Sequence, residues 1–221
     1  MAAGVAAAAG APSARAPDTI AARVAACDAC HDAAGRASAE GYIPRIAGKP
    51  AAYLYNQLRH FRDGRRQSPA MTSLVAHQTD AYLREIAAHY AALALPHRPL
   101  PASRATPAVL ARGRTLALDG DRARGIPACA ACHDASLGGV APDMPGLTGL
   151  PRDYINGQLG AWKNGTRRAA APDCMAEIAR ALGPEDVAAV SAWLATQPAG
   201  PLAAPGPRPA PPLRCGTLAA P

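Results

Sequence analysis

Two short stretches hold the side chains best suited to chemistry. Cys27-Asp28-Ala29-Cys30-His31 and Cys129-Ala130-Ala131-Cys132-His133 share the pattern Cys-x-x-Cys-His and lie 102 residues apart. Cys-x-x-Cys alone suits a redox dithiol or half of a zinc site, but neither uses a histidine directly after the second cysteine. Two thiols at this spacing can add to the vinyl groups on one edge of a haem, and the next residue then brings its imidazole to the iron. Cys27, Cys30, Cys129 and Cys132 are therefore read as covalent attachment points, and His31 and His133 as axial ligands. A zinc site built from all four cysteines would have to bridge two remote segments and would leave both histidines without a role.

The sixth position on each iron calls for methionine or histidine. Met71 and Met175 follow their histidines by 40 and 42 residues, and each stands 15 residues before an equivalent apolar position, Ile86 or Val190. A lone methionine more often packs a core, but a matched pair reads as two ligands, and His/Met coordination favours high potentials. Met144 aligns with Ile43 and is not repeated. His60, His77 and His89 align with Ala161, Ala181 and Trp193, and His97 falls between the halves, so these read as surface or packing histidines. Pro44 and Pro145 follow the ligating histidines by 13 and 12 residues. Their carbonyls suit the other imidazole N–H, which would fix the tautomer and raise ligand basicity.

These residues need elements to position them, and the chain supplies them twice. IPRIAGKPAAYLYNQLRHFRDGRRQ from Ile43 matches MPGLTGLPRDYINGQLGAWKNGTRR from Met144, so two copies of one unit are expected. A helix leads into each Cys motif, with Asp18 as N-cap of the first and Thr106 followed by Pro107 opening the second. A second helix carries Tyr53 or Tyr154 and stops near Gly64 or Gly165. A third closes each half, with Leu83, Ile86, Ala87 and Tyr90 on one face, matched by Val187, Val190, Ser191 and Leu194. The boundaries read as a degenerate signal or disordered segment over 1–17, a first domain over 18–95, a Pro-rich linker over 96–107 and a second domain over 108–197. Residues 198–221 form a Pro/Ala-rich tail expected to be disordered.

Composition agrees with an all-α chain. Aromatic residues make up only 4% of the 221, thin for two independent cores, so something besides side chains must fill the interior. The net charge of +7 is diffuse: residues 18–100 hold 10 Lys and Arg against 7 Asp and Glu, and residues 101–200 hold 10 against 9. No basic run interleaves with aromatics, which excludes a nucleic-acid surface, while a mildly basic face suits an acidic protein partner. No stretch reaches the roughly 20 apolar residues of a membrane span.

With both Cys motifs, the late methionines and the stretch GRTLALDGDRARGIPACAACHD, the chain resembles the dihaem class I cytochromes c of the cytochrome c4 family over residues 18–197. The resemblance implies two tandem class I cytochrome c domains face to face, holding two covalent haem c groups with propionates near the interface. It implies a periplasmic monomer, soluble or loosely attached to a membrane surface. Such a protein carries electrons between respiratory complexes, from a cytochrome bc complex toward a terminal oxidase. The alternative is a dihaem electron-transfer subunit of a dehydrogenase, flavocytochrome-like, with the same haem motifs and a stable partner. A peroxidase or thiosulfate-oxidising enzyme would need an open or cysteine-ligated iron, and Met71 and Met175 argue against it. Cys174 and Cys215 have no counterpart in the repeat. Cys174 aligns with Ala70 and reads as a bystander, with no bridge to Cys215 demanded.

Overall fold

The computed structural model describes residues 18–37, 42–205 and 211–218, so the leader reading for residues 1–17 lies outside the described residues. The first half opens with α1 (Ile20–Arg23) and α2 (Ala25–His31), which meet at Val24. The N-cap is Thr19 rather than Asp18: its hydroxyl accepts from Ala22 N at 3.2 Å, while Asp18, one residue too early, pairs with Arg23 at 2.9 Å. α3 (Ala51–Arg62) lacks a side-chain cap, and its free Ala52 N–H instead donates across to Pro142 O of the second half at 2.9 Å. A short α4 (Pro69–Val75) follows, capped by Ser68. α5 (Asp80–Ala91) is capped by Thr79 and buries Leu83, Ile86, Ala87 and Tyr90, the face its periodicity indicated.

The second half repeats this order with more loop. α6 (Pro107–Leu118) is capped by Thr106, and α7 (Ala130–His133) holds the Cys motif. The expected single helix into that motif is instead two helices separated by a loop. Paired backbone bonds, Asp121 N to Ile126 O at 2.7 Å and Ile126 N to Asp121 O at 2.9 Å, close the loop. Arg124 Nη1 ties it to the buried Asp186 at 2.7 Å. Two-residue strands β1 (Gly139–Val140) and β2 (Met144–Pro145) pair antiparallel. α8 (Arg152–Lys163), α9 (Cys174–Ala181) and α10 (Pro184–Leu194) complete the half.

Each half has its own apolar core. The first gathers Val24, Leu54, Phe61, Val75, Leu83 and Tyr90. The second gathers Leu116, Ile126, Tyr154, Leu159, Val190 and Leu194. No helix among the described residues is long and apolar enough to cross a membrane.

The described residues of the tail, 198–205 and 211–218, depart from the disorder expected of it. Ala203 N donates to Gly139 O at 3.0 Å and Ala141 N to Ala203 O at 2.9 Å, so the tail adds a parallel bridge beside β1. Further on, Cys215 forms a disulfide with Cys174, which corrects the bystander reading. Proline removes donors from the tail itself, but it leaves extended backbone that can pair with another segment.

The crossing of α6 on α10 depends on Gly113. A Cβ there would sit 2.7 Å from both Ala189 C and Trp193 Cβ, and closer still to Ala189 O. Gly113→Val is therefore expected to destabilise the second half by about 1–3 kcal/mol or more. Guanidinium melts of the holoprotein check this, and an unchanged midpoint would refute it.

Candidate functional site

A cavity lies in each half, the second walled in part by residues of the first half and the tail, and the residues singled out from the sequence converge on the two. In the first, Cys27, His31, Pro44 and Met71 share walls with Leu54, Phe61 and Tyr90. In the second, Cys129, Cys132, His133, Pro145 and Met175 share walls with Tyr154, Trp162 and Val190. Cys30 is the exception: it is exposed and does not line the first cavity. Met144 is buried on the second cavity wall, where its alignment with Ile43 places an apolar side chain. Met71 and Met175 both sit in the first turn of a short helix, α4 or α9, which is too brief for apolar periodicity to announce.

The histidines end α2 and α7, and both are buried. His31 Nδ1 lies 2.8 Å from Pro44 O and His133 Nδ1 lies 2.7 Å from Pro145 O. A carbonyl only accepts, so Nδ1 carries the proton and Nε2 keeps its lone pair. Burial lowers both imidazole pKa values from the usual 6.5, which keeps the rings neutral at pH 7. Burial also raises the thiols of Cys27, Cys129 and Cys132, with Cys129 pushed up to about 11, so in the free chain these three are protonated. Among the described residues, no three of His, Cys, Asp and Glu gather as a metal cluster, so the four cysteines do not form a zinc site.

Between the cavities lies an arrangement that motif reading missed. Arg66 and Arg167 are equivalent in the repeat and pair antiparallel, backbone to backbone. Gln67 N donates to Thr166 O at 2.9 Å, and the equivalent Arg168 N donates to Arg65 O at 2.7 Å. Arg66 reaches Gln57 Oε1 at 3.1 Å and Gln158 Oε1 at 2.7 Å. Arg167 mirrors it, reaching Gln158 at 2.7 Å and Gln57 at 3.1 Å. The guanidinium of Arg66 stacks 4.6 Å over Phe61, and that of Arg167 stacks 3.8 Å over Trp162, again equivalent residues. A pseudo-twofold axis thus passes between the two arginines. The matching Arg66 and Arg167, with the Gln-Leu pairs, were the available signal in the two repeats.

The cluster is strongly cationic. Lys49 lines both cavities, and desolvation lowers its pKa, with Arg45, Arg167 and Arg66 acting in the same sense. Desolvation likewise lowers that of buried Arg167, beside Arg66, with the phenols of Tyr53 and Tyr154 opposing. Burial raises the Tyr53 phenol, but Arg167, Lys49 and Arg66 together bring it down to about 8. His60, read as ordinary packing, lies buried here and lines the second cavity; burial and the surrounding arginines lower it to about 4. A haem is a flat apolar plate with two carboxylates on one edge. Apolar cavities walled by a neutral imidazole and a thioether, with cations between them, fit such a group in both halves.

Comparison with known proteins gives the same answer from a different direction. The family model for cytochrome c matches residues 110–198. The thiosulfate dehydrogenase electron acceptor of Thiomonas intermedia (strain K12) is 38% identical over 177 residues, covering 80% of this chain and 81% of that protein. Cytochrome c4 of Pseudomonas aeruginosa is 34% identical over 175 residues, covering 78% and 84%. The crystal structure of reduced recombinant cytochrome c4 from Pseudomonas stutzeri superposes with a TM-score of 0.65 at 28% identity, covering 79% of this chain and 95% of that one.

The shared glutamines hold the interface charges. Gln158→Leu strips one acceptor from each arginine and is expected to cost at least about 1.5–3 kcal/mol, the value of one hydrogen bond to a charged group. Asp18→Asn, at an exposed ion pair, is expected to cost under about 1 kcal/mol. Denaturant melts of the two variants side by side check the contrast.

Proposed function

This chain belongs to the cytochrome c4 family of dihaem cytochromes c, and on that premise we propose how its two redox sites are built and what they serve. It is an electron-transfer protein with two covalently bound haem c groups, and it exchanges electrons with other redox proteins. We assign Cys27 and Cys30 to the first haem and Cys129 and Cys132 to the second. His31 with Met71, and His133 with Met175, are the axial pairs. The domains are taken as 18–95 and 108–197, joined by 96–107. The observation that carries this is the same triad in both cavities: an imidazole held by a proline carbonyl, with a methionine on the same cavity wall.

The haem supplies a one-electron iron couple. The chain's own residues set its terms. The Pro44 and Pro145 carbonyls hold each imidazole in one tautomer and raise its basicity toward the metal. The thioethers of Met71 and Met175 are soft donors that favour the reduced state. Lys49 lines both cavities, Arg66 the first and Arg167 the second; they would hold the propionates of a bound haem, and their positive field would oppose the extra charge of oxidised iron. The cavity walls are mostly apolar, which would limit how much solvent reorganises when charge changes.

The setting we infer is the periplasm, where covalent haem attachment takes place, with electrons passing from a cytochrome bc complex to a terminal oxidase. A second reading is favoured by the Thiomonas relative, which is named as an electron acceptor of thiosulfate dehydrogenase. In that case the donor is a dehydrogenase. Purification of the native protein separates the two, because a dehydrogenase subunit copurifies with its catalytic partner whereas a carrier comes off alone.

The ligands are tested one at a time. Met71→His and Met175→His should each remove one methionine–iron near-infrared band and lower the potential of that haem alone. The axial ligand acts as a lever over a range of about 0.8 V. Replacing Cys27 and Cys30 by Ala should leave one covalent haem in the denatured chain, read by mass. Two retained haems, or an unchanged band in either methionine variant, would overturn the corresponding assignment.

A further inference from the structure

The two cavities differ on the methionine side. Cys174 immediately precedes Met175 in the first turn of α9, and its disulfide reaches Cys215, 41 residues on. The equivalent residue in the first half is Ala70. Around Cys215 the tail alternates: Leu213, Cys215, Thr217 and Leu218 line the second cavity, while Arg214 and Gly216 are exposed. Gly216 N donates to Pro172 O at 2.9 Å, two residues before Cys174. A Cβ at Gly216 would stand 2.5 Å from Ala171 C and closer to Ala171 O, so the tail backbone lies directly on this loop. On the other side Asn56 of α3 donates to Thr217 O at 3.5 Å. Among the described residues the first cavity has no such segment: its walls come from residues 27–90 and Tyr154.

We propose that residues 211–218 are a disulfide-anchored cover on the methionine side of the second haem, and that Cys174–Cys215 is a positioning pair that holds Met175 in place and keeps small exogenous ligands out. This rests on the reading of Met175 as an iron ligand. A thioether is displaced by an incoming ligand only when its segment opens, so the rate follows the local opening equilibrium. A crosslink one residue from the ligand restricts that opening. It also keeps the tail at high effective concentration over the cavity, where its few hydrogen bonds alone would hold it weakly. The first haem, with no such cover among the described residues, is then the more accessible of the two.

The test uses full-length holoprotein carrying Met71→His, so that the remaining near-infrared band reports Met175 alone. The ferric protein is mixed with imidazole, and loss of the band is timed. Replacing Cys174 and Cys215 together by Ser removes the tether and introduces no thiol. The rate is expected to rise at least about tenfold, equivalent to about 1.4 kcal/mol in the opening equilibrium. Leu213→Ala combined with Leu218→Ala keeps the bridge and thins the cover; it is expected to speed the loss as well, and it carries the test if the serine variant fails to fold. Unchanged rates in the variants that fold would overturn the cover. A Met71→His protein with no near-infrared band would overturn the ligand reading itself, and the positioning role with it.

Discussion

Two guanidinium groups set back to back between the halves constrain the rest of the structure. Like charges this close oppose each other, and buried Arg167 shows it in a pKa pulled below that of a free guanidinium by desolvation and by Arg66. Neutral groups carry part of the load: two glutamine oxygens shared between the arginines, the Tyr53 hydroxyl at 3.3 Å from Arg167, and the faces of Phe61 and Trp162. Neutral acceptors and ring faces do not cancel charge, and isolated buried charge is expensive. Carboxylates on the edge of a haem in each cavity would add the opposite sign to this cluster. On this reading the interface is completed by the cofactors, and the two halves are joined by the same groups that bind them.

The small cores lead to the same conclusion. Among the described residues, the connected core of the first half holds eight buried apolar side chains and that of the second twelve, and the first half has one phenylalanine and no tryptophan. Domains of this size are marginal without a staple. A large apolar plate bonded to the chain fills volume and also restricts the unfolded state. The helices therefore serve twice, since α3 and α5, like α8 and α10, pack against each other and also wall the plate. The residues proposed as ligands stand where elements begin or end, His31 closing α2 and Met71 in the first turn of α4, so their placement is inherited from the packing of the longer helices.

Much of this was legible in the sequence because it is written twice. The Cys-x-x-Cys-His motifs, the proline carbonyls at 2.8 and 2.7 Å from the imidazoles, and the buried faces of α5 and α10 all follow from short-range spacing that two copies reinforce. What escaped was either a choice between adjacent residues or something non-repeated. Thr19 caps α1 in place of Asp18 because the hydroxyl, one residue nearer, reaches the free Ala22 N–H. The split between α6 and α7 depends on a long-range tie from Arg124 to Asp186, which no local pattern announces. The tail has the composition of disorder, yet a disulfide and a bridge beside Val140 place its described parts. Composition reports what a segment can do alone and is silent about a partner segment elsewhere in the chain.

Duplication also limits what the repeat can achieve. Residues present in both copies build two equivalent sites, and two identical sites would give an electron no preference between them. Any difference must come from positions where the copies diverge. Lys49 faces Leu150 in the repeat, Asn56 faces Gly157, His60 faces Ala161 and Cys174 faces Ala70. All four of the polar members line the second cavity, and of the four only Lys49 also lines the first. Three of these, Lys49, Asn56 and His60, belong to the first half of the chain and reach across the pseudo-twofold axis. The environment of the second site is thus composed by both halves and the tail, whereas the first is composed almost wholly by its own half. The fold makes two irons alike through what it repeats, and sets them apart through unrepeated side chains gathered at one of them.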